Sequence, residues 1–290
     1  MRRAWAWVAA AYAAAMVVAV LVARAVPGSD PLWVAFVADV AATLVVFGFS
    51  VLHDNSSFYD PYWSLAPIPI AVYWVASAPA PASKLRAALI VVLICVWGLR
   101  LTWNWARGWQ GLGHEDWRYV DLRRKTGRFY WPVSLAGIHM LPTLWVFGGL
   151  LPVYAALVAG TRGFGVLDLV AAVVTAAAIW IEAEADRQLR AFRMRPHRPD
   201  EILATGLWAR SRHPNYFGEM SFWWGLYLFG LAAAPSWWWT GVGALAITLM
   251  FRFISLPMME ERMLARRPGY AEHQRRTPLV LLTGISTFSK

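Results

Sequence analysis

Several stretches of the chain hold side chains whose types and spacing could do chemistry. The run IEAEADRQLRAFR ends at Arg193. On a helix, its Glu182, Asp186 and Arg190 fall four apart on one face, with Arg193 three residues beyond. Acids followed by arginines at that spacing suit a ribose–phosphate ligand: the carboxylate accepts from ribose hydroxyls and the guanidinium forks onto phosphate. The same residues would also serve as a salt-bridged helix end whose arginines reach lipid headgroups. The run GLWARSRHPNYFGE, 206–219, places Arg210, Arg212, His213, Asn215 and Tyr216 just before an apolar stretch. Gly206 and Pro214 bracket a non-helical segment. The following helix start is a ready anion site, and Glu219 is carried into the membrane, where an unpaired carboxylate is costly. Capping plus a buried ion pair is the plainer alternative.

Two further runs have a polar character out of keeping with their surroundings. In HDNSSFYDPYWS, 53–64, Asp60-Pro61 is a helix-start signal. Asp60 and Tyr62 could supply a proton donor or a carbonyl-binding group beside a lipid-accessible pocket; Asp60 as a simple cap is the alternative. In RLTWNWARGWQGLGHEDWRY, 100–119, Gly108, Gly111 and Gly113 break a helix before His114, Glu115, Asp116 and Arg118. No strand precedes those glycines, so they are not a dinucleotide fingerprint. Burial could keep Glu115 protonated as a second candidate donor. His139 stands alone inside an apolar run, and a lone intramembrane His is more often hydrogen-bonded within the bundle than catalytic. There is no His/Asp/Glu cluster with metal spacing.

The elements that must carry these residues are membrane helices. The chain has 290 residues, of which 59% are hydrophobic and only 15% charged, with mean hydropathy +0.44. That composition excludes a disordered chain and argues against a soluble enzyme. Runs long enough to cross a bilayer lie at about 4–26, 31–52, 61–78, 85–105, 131–159, 166–185, 216–234 and 237–257. The expected fold is an all-α polytopic bundle of seven to eight spans forming a single membrane domain over 1–290. Pro132, Pro142 and Pro152 should kink the fifth run, and Pro235 should turn the seventh into the eighth. The first run is longer than the apolar core of a signal peptide, so it reads as a retained span rather than a cleaved leader. The lone Cys95 excludes an internal disulfide and a Cys-based metal site.

Net charge is +10, and 22 of the 27 cations fall before the first span, in 106–130, in 186–215 or from 252 onward. An even span count puts all four segments on one side, cytoplasmic by the positive-inside rule, with both termini there. That charge suits anionic lipid headgroups or an anionic ligand such as a dinucleotide. No soluble module exists to present it to nucleic acid.

The runs DPYWS at 60–64, RLTWNWARGWQGLGHEDWRY at 100–119, ADRQLRAFR at 185–193, GLWARSRHPNYFGE at 206–219 and EERMLARRPGYAEHQRRTP at 260–278 resemble the bacterial domain-of-unknown-function 1295 family, which is grouped with the steroid 5α-reductase-like membrane reductases. The resemblance implies a steroid 5α-reductase-like helical fold in the bacterial inner membrane and an NADPH site, built from the motif region 185–278, that opens to the cytosol. In those reductases an Asp with an Arg seven residues on, and the Asn and Glu of an Asn-x-x-Gly-Glu run, contact the cofactor; Asp186, Arg193, Asn215 and Glu219 match them. The implied chemistry is NADPH-dependent reduction of an activated C=C bond in a hydrophobic, lipid or steroid-like enone. A Glu and a Tyr polarise its carbonyl in the family; here Asp60, Tyr62 and Glu115 stand nearest by location. Where the reductases carry His and Tyr contacts in the last segment, this chain has Met259, Glu260 and Met263. The run Arg212-His213-Pro214-Asn215-Tyr216-Phe217-Gly218 with Glu260-Glu261 is also similar to S-adenosylmethionine-binding membrane methyltransferases of the isoprenylcysteine and phospholipid type. The arginine density favours a phosphate-bearing dinucleotide over a cationic sulfonium. A non-catalytic lipid-binding protein is the third reading.

Overall fold

The computed structural model describes residues 1–26, 28–78 and 82–280, and every regular element among them is helical. Helix α1 (Arg2–Ala25) and α2 (Pro31–Leu52) form an antiparallel pair. Asp30 starts α2 by accepting the Leu32 N–H at 2.7 Å, with Pro31 at the first helical position. A short turn, α3 (Tyr62–Leu65), leads into α4 (Pro67–Ser77); then come α5 (Lys84–Gly108), capped by Ser83, and α6 (Trp117–Thr126), capped by Asp116. The proline-rich run is α7 (Tyr130–Ser134), a π-helical turn (Leu135–Met140), α8 (Leu141–Tyr154) and a second π-helical turn (Ala155–Ala159). Helix α9 (Val166–Met194) packs along α10 (Pro214–Ala233), and a 3-10 turn at Pro235–Thr240 reverses the chain into α11 (Gly241–Met250). The last elements are α12 (Leu256–Arg266) and the small α13 (Tyr270–Arg276).

Among the described residues, six helices are long and apolar enough to cross a membrane. Two of the eight sequence-read spans fall short of that, for different reasons. The stretch 61–78 is broken into helices of 4 and 11 residues, since Pro67 and Pro69 cannot continue the hydrogen-bond ladder. Helix α10 is 20 residues long but carries Asn215, Glu219, Trp223 and Trp224. It need not be apolar throughout, because its wall is protein rather than lipid: it packs between α9, α8 and α11. Gly218 and Gly225 make the α9 contact possible. A Cβ on Gly218 would lie 2.7 Å from Glu182 Cβ and 2.8 Å from the Ala178 carbonyl, and one on Gly225 would collide with Thr175. Small residues are the usual means by which membrane helices approach closely.

The two ends of the bundle differ. One end gathers the N-terminus of α1, the loop 53–61, the loop 109–116, the exit of α9 and α13. Met1 sits against Gly111, and Asn55 donates to the carbonyls of Leu112 and His114. The other end is closed by Arg86, which donates to both Asp168 oxygens at 2.6 and 2.9 Å and to the carbonyls of Arg162 and Gly163 at 2.8 Å. Both side chains are 1% exposed. Among the described residues, Arg262 lies over Trp117, Arg212 pairs with Glu260 and Arg267 donates to the Glu201 carbonyl, so the basic segments 106–130, 186–215 and 260–276 meet at one end. The C-terminal residues 281–290, on which the expected placement of the second terminus rests, lie outside the described residues.

Candidate functional site

Helices α5, α9 and α10 converge near the polar end on a knot of buried charge. Arg100 of α5 reaches across to α9, with Nη1 3.0 Å from Asp186 Oδ2 and Nη2 2.6 Å from Glu182 Oε2. The latter contact is not aligned for a hydrogen bond, and Arg100 Nε has no partner. Asp186 also accepts from Asn104 at 3.2 Å and, at a long 3.4 Å, from Asn215. Glu219, one turn into α10, accepts from two indoles, Trp97 and Trp223, each at 2.9 Å. Three carboxylates thus face a single paired arginine. Asn215 Oδ1 is buried with no donor. Of the residues read from sequence as a ligand site, Asp186, Asn215 and Glu219 are brought together here. Arg190, Arg193 and Arg210 lie at the same end, with no carboxylate within ion-pair distance among the described residues.

Arg212 and His213 are placed differently. Arg212 Nη2 lies 2.8 Å from Glu260 Oε2, and its Nη1 donates to the carbonyls of Gln274 and Thr277. His213 Nε2 is 2.6 Å from Glu260 Oε1, which also accepts from Tyr270, while Gln274 donates to Oε2. Glu260 lies beyond the apolar part of the last long helix. Burial pushes its carboxyl up, but the donors His213, Tyr270, Gln274 and Arg212 outweigh burial and hold it at about 2. This network fastens α13 to the turn before α10. Tyr216 stacks edge-on against Phe251, with 5.0 Å between ring centres.

The loop 53–61 is a polar plug. Glu115 accepts the Ser56 N–H at 2.7 Å and the Tyr130 hydroxyl at 3.3 Å, and pairs loosely with Arg123. Asp60 accepts from the Tyr119 hydroxyl at 2.7 Å. Neither carboxylate lines the apolar pocket that Tyr62 faces. His139 is fully buried and held by the Ser134 carbonyl at 3.0 Å and Ser50 at 3.1 Å. Since a carbonyl only accepts, Nδ1 carries the proton and the ring is hydrogen-bonded within the bundle, as expected of a lone intramembrane His. Burial raises the Asp60 carboxyl to about 6, against the lowering influence of Tyr119 and Arg118. The folded value lies above the unfolded one, so this carboxyl's contribution to stability is largest below about pH 4 and falls as pH rises to about 6. Asp60→Asn should remove that slope and raise stability at pH 7, by at most about 3 kcal/mol for a carboxyl moved from about 4 to about 6. Thermal unfolding against pH measures it; identical pH curves for the two proteins would refute the assignment.

Tyr62 turns to a different cavity. Between α1, α2 and α3–α4 lies an apolar pocket of about 460 Å³. It exists because alanines at 15, 19 and 23 of α1 and at 35, 38 and 42 of α2 leave the gap unfilled. Its mouth is formed by exposed apolar residues, Met16, Val20 and Leu99. One polar pair projects into it: the Tyr62 hydroxyl donates to Asp39 Oδ1 at 2.8 Å, and the residues are 6% and 5% exposed. The Tyr12 hydroxyl, on the same wall, is committed to the Phe58 carbonyl. Sequence reasoning passed over Asp39, although an acid inside an apolar span is itself a functional signal. It also missed Trp97 and Asn104. Two indoles connect the Tyr62 turn to the charge knot: Trp63, next to Tyr62, packs edge-on against Trp97 at 5.7 Å, and Trp97 is the donor to Glu219.

Comparison with known proteins gives a family without an activity. The family described as "Protein of unknown function (DUF1295)" matches residues 46–277. A protein of Schizosaccharomyces pombe, "Uncharacterized protein C594.04c", is 28% identical over 214 residues, covering 66% of this chain. The matched region spans 62% of that relative's length. No solved structure matches. The profile takes in the charge knot, the polar plug and the Glu260 network alike, and the chain belongs to the DUF1295 family.

Proposed function

We propose that the protein is a membrane reductase that uses NADPH to saturate the C=C bond of a lipid or steroid-like enone, working in the bacterial inner membrane with its polar end in the cytosol. The observation that carries the reading is a charge knot and a lipid-facing apolar pocket that meet at one pair of packed indoles, Trp63 and Trp97. Asp186, Asn215 and Glu219 would hold the cofactor, and the unpaired Arg190, Arg193 and Arg210 would meet its phosphates. The donor set fits that group: Asn215 Oδ1 and Arg100 Nε are buried with hydrogen-bonding capacity to spare, which is costly unless a ligand uses it. When bound, NADPH supplies the reducing equivalent as a hydride to the β-carbon. The apolar walls of the pocket exclude water from the substrate. Tyr62 would turn its one O–H from Asp39 to a carbonyl oxygen on which negative charge grows, with a protonated Asp39 donating to the phenol oxygen in its place, and a donor in a dry site is worth far more than in water. The α-carbon takes up a proton to complete the saturated product.

The methyltransferase reading draws on the run around Arg212 and His213: both pair with Glu260, while Arg212 Nε is buried with no partner and could still meet a ligand. Calorimetry on protein in detergent should show NADPH binding in the micromolar range or tighter, with a rise in unfolding temperature as any native-state ligand must produce. Binding of S-adenosylmethionine without NADPH would transfer the protein to the methyltransferases. Binding of neither would leave a non-catalytic lipid-binding protein.

A further inference from the structure

A second cavity, about 380 Å³, runs between α6 and α12 at the polar end. Its two walls are helical stripes. Arg118 and Lys125 lie seven apart on α6; Met258, Arg262 and Arg266 recur every fourth residue on α12 and share one face. The Arg118 guanidinium is taken by Asp116, with contacts of 2.8 and 3.1 Å. Lys125, Arg262 and Arg266 have no carboxylate within ion-pair distance among the described residues. The groove also contains Asp121 and Glu261, which leaves its four cations in excess by two. Arg262 is not loose: its guanidinium carbon lies over the Trp117 ring, 3.8 Å from the ring centre, a contact that fixes a cation's position without neutralising it.

Like charges held side by side in a concave site call for an anion. The chemistry below them says which kind. One turn beneath Arg262 the α12 wall becomes Met258, 39% exposed, and below that Phe253 and Ile254 are 66% and 47% exposed. A soluble phosphate would have no use for such a surface, whereas a phospholipid would, with its phosphate at the cations and its chains along the apolar side chains. We propose that the α6–α12 groove is a specific site for an anionic phospholipid headgroup. The indole of Trp117 marks the depth at which headgroups lie, and the inner leaflet supplies the anionic lipid. The proposal stands independently of the reductase reading.

The test uses the intact protein in nanodiscs of mixed phosphatidylcholine and phosphatidylglycerol, with retained lipids counted by native mass spectrometry. The wild-type protein should retain phosphatidylglycerol preferentially. Arg262→Gln with Arg266→Gln should lower that preference about thirtyfold, at roughly a factor of five per cation. Arg2→Gln with Arg3→Gln removes the same charge at the same end and should leave it unchanged. Equal loss in both double variants would reduce the effect to general surface charge and overturn the site. Inorganic phosphate and glycerol phosphate are tested as displacers: release of the lipid by either at millimolar concentration would mean a soluble phosphate is the ligand. NADPH affinity is measured in the same variants and should stay within about threefold. A collapse of NADPH binding with lipid retention intact would assign the groove to the nucleotide instead. Should the double variant fail to fold, the wild-type protein in nanodiscs of varied phosphatidylglycerol content decides the matter, since no preference for that lipid at any ratio would refute the site.

Discussion

Tyr62→Phe should lower turnover of an enone substrate by about 10²–10⁴-fold, the usual worth of a positioned proton donor, while leaving NADPH affinity within about threefold. The change deletes one oxygen from a residue that is 6% exposed and leaves the ring to fill its place, so the fold should tolerate it. The hydroxyl reaches Asp39 Oδ1 at 2.8 Å and the Asp39 carbonyl at 3.1 Å, whereas the Tyr12 hydroxyl on the same wall is committed to the Phe58 carbonyl. Asp39→Asn is the companion. An amide can donate an N–H to the phenol oxygen and leave the Tyr62 proton for the substrate, so if Asp39 only orients the phenol, the Asn variant keeps most of its turnover. If Asp39 contributes its charge or a proton, the two variants fall together. Arg193→Ala should do the opposite of Tyr62→Phe, raising the cofactor Kd with a smaller effect on kcat at saturation. Near-normal turnover in Tyr62→Phe, in a protein that still binds NADPH, would make Tyr62 part of the pocket wall and nothing more.

The largest stability effect is expected at the other end of the bundle. Arg86→Ala should destabilise by about 3–5 kcal/mol, the range for breaking a buried ion pair from one side. Asp168 would be stranded at 1% exposure, and the carbonyls of Arg162 and Gly163 would lose their donors. The cost lies in the stranded charge rather than in the attraction lost. Replacing both partners, Arg86→Met with Asp168→Leu, should therefore recover much of the loss, because apolar side chains of similar volume can substitute for a buried pair at little cost. Thermal or denaturant unfolding of the two variants decides the point. A double variant no more stable than Arg86→Ala would show that the carbonyl contacts, not the charge, hold this end together.

How far the sequence could be read depended on the range of the interactions. Helices α1, α2, α5 and α9 were legible because an apolar run and its start signal are local: Asp30-Pro31 announces α2, and Ser83 caps α5. Helix α10 was read as a span, though its surface is less apolar than that of a helix facing lipid, because protein surrounds it. The charge knot was half legible. Glu182 and Asp186 share a face by simple periodicity, and Asn215 and Glu219 share the next helix, but Arg100 and Trp97 join them only through packing of α5 on α9 and α10. Arg212 and His213 looked ready for a ligand because their partner, Glu260, is 47 residues from His213. Asp39 had no neighbour of complementary type on its own helix. Its partner Tyr62 is 23 residues away, and the cavity they share is defined by the absence of bulk in an alanine stripe, which periodicity does not reveal.

The alanine-walled pocket has its mouth among Met16, Val20 and Leu99, side chains that would face acyl chains rather than water. A molecule that binds there arrives by diffusion in two dimensions, and the quantity that fills the site is its mole fraction in the bilayer, not its amount per litre of buffer. Adding inert lipid at constant total substrate would thin the substrate out across the surface and empty the pocket. Adding water would not. The protein would thus respond to the make-up of the membrane around it, and a cell could alter flux through the site by changing how much bilayer it makes.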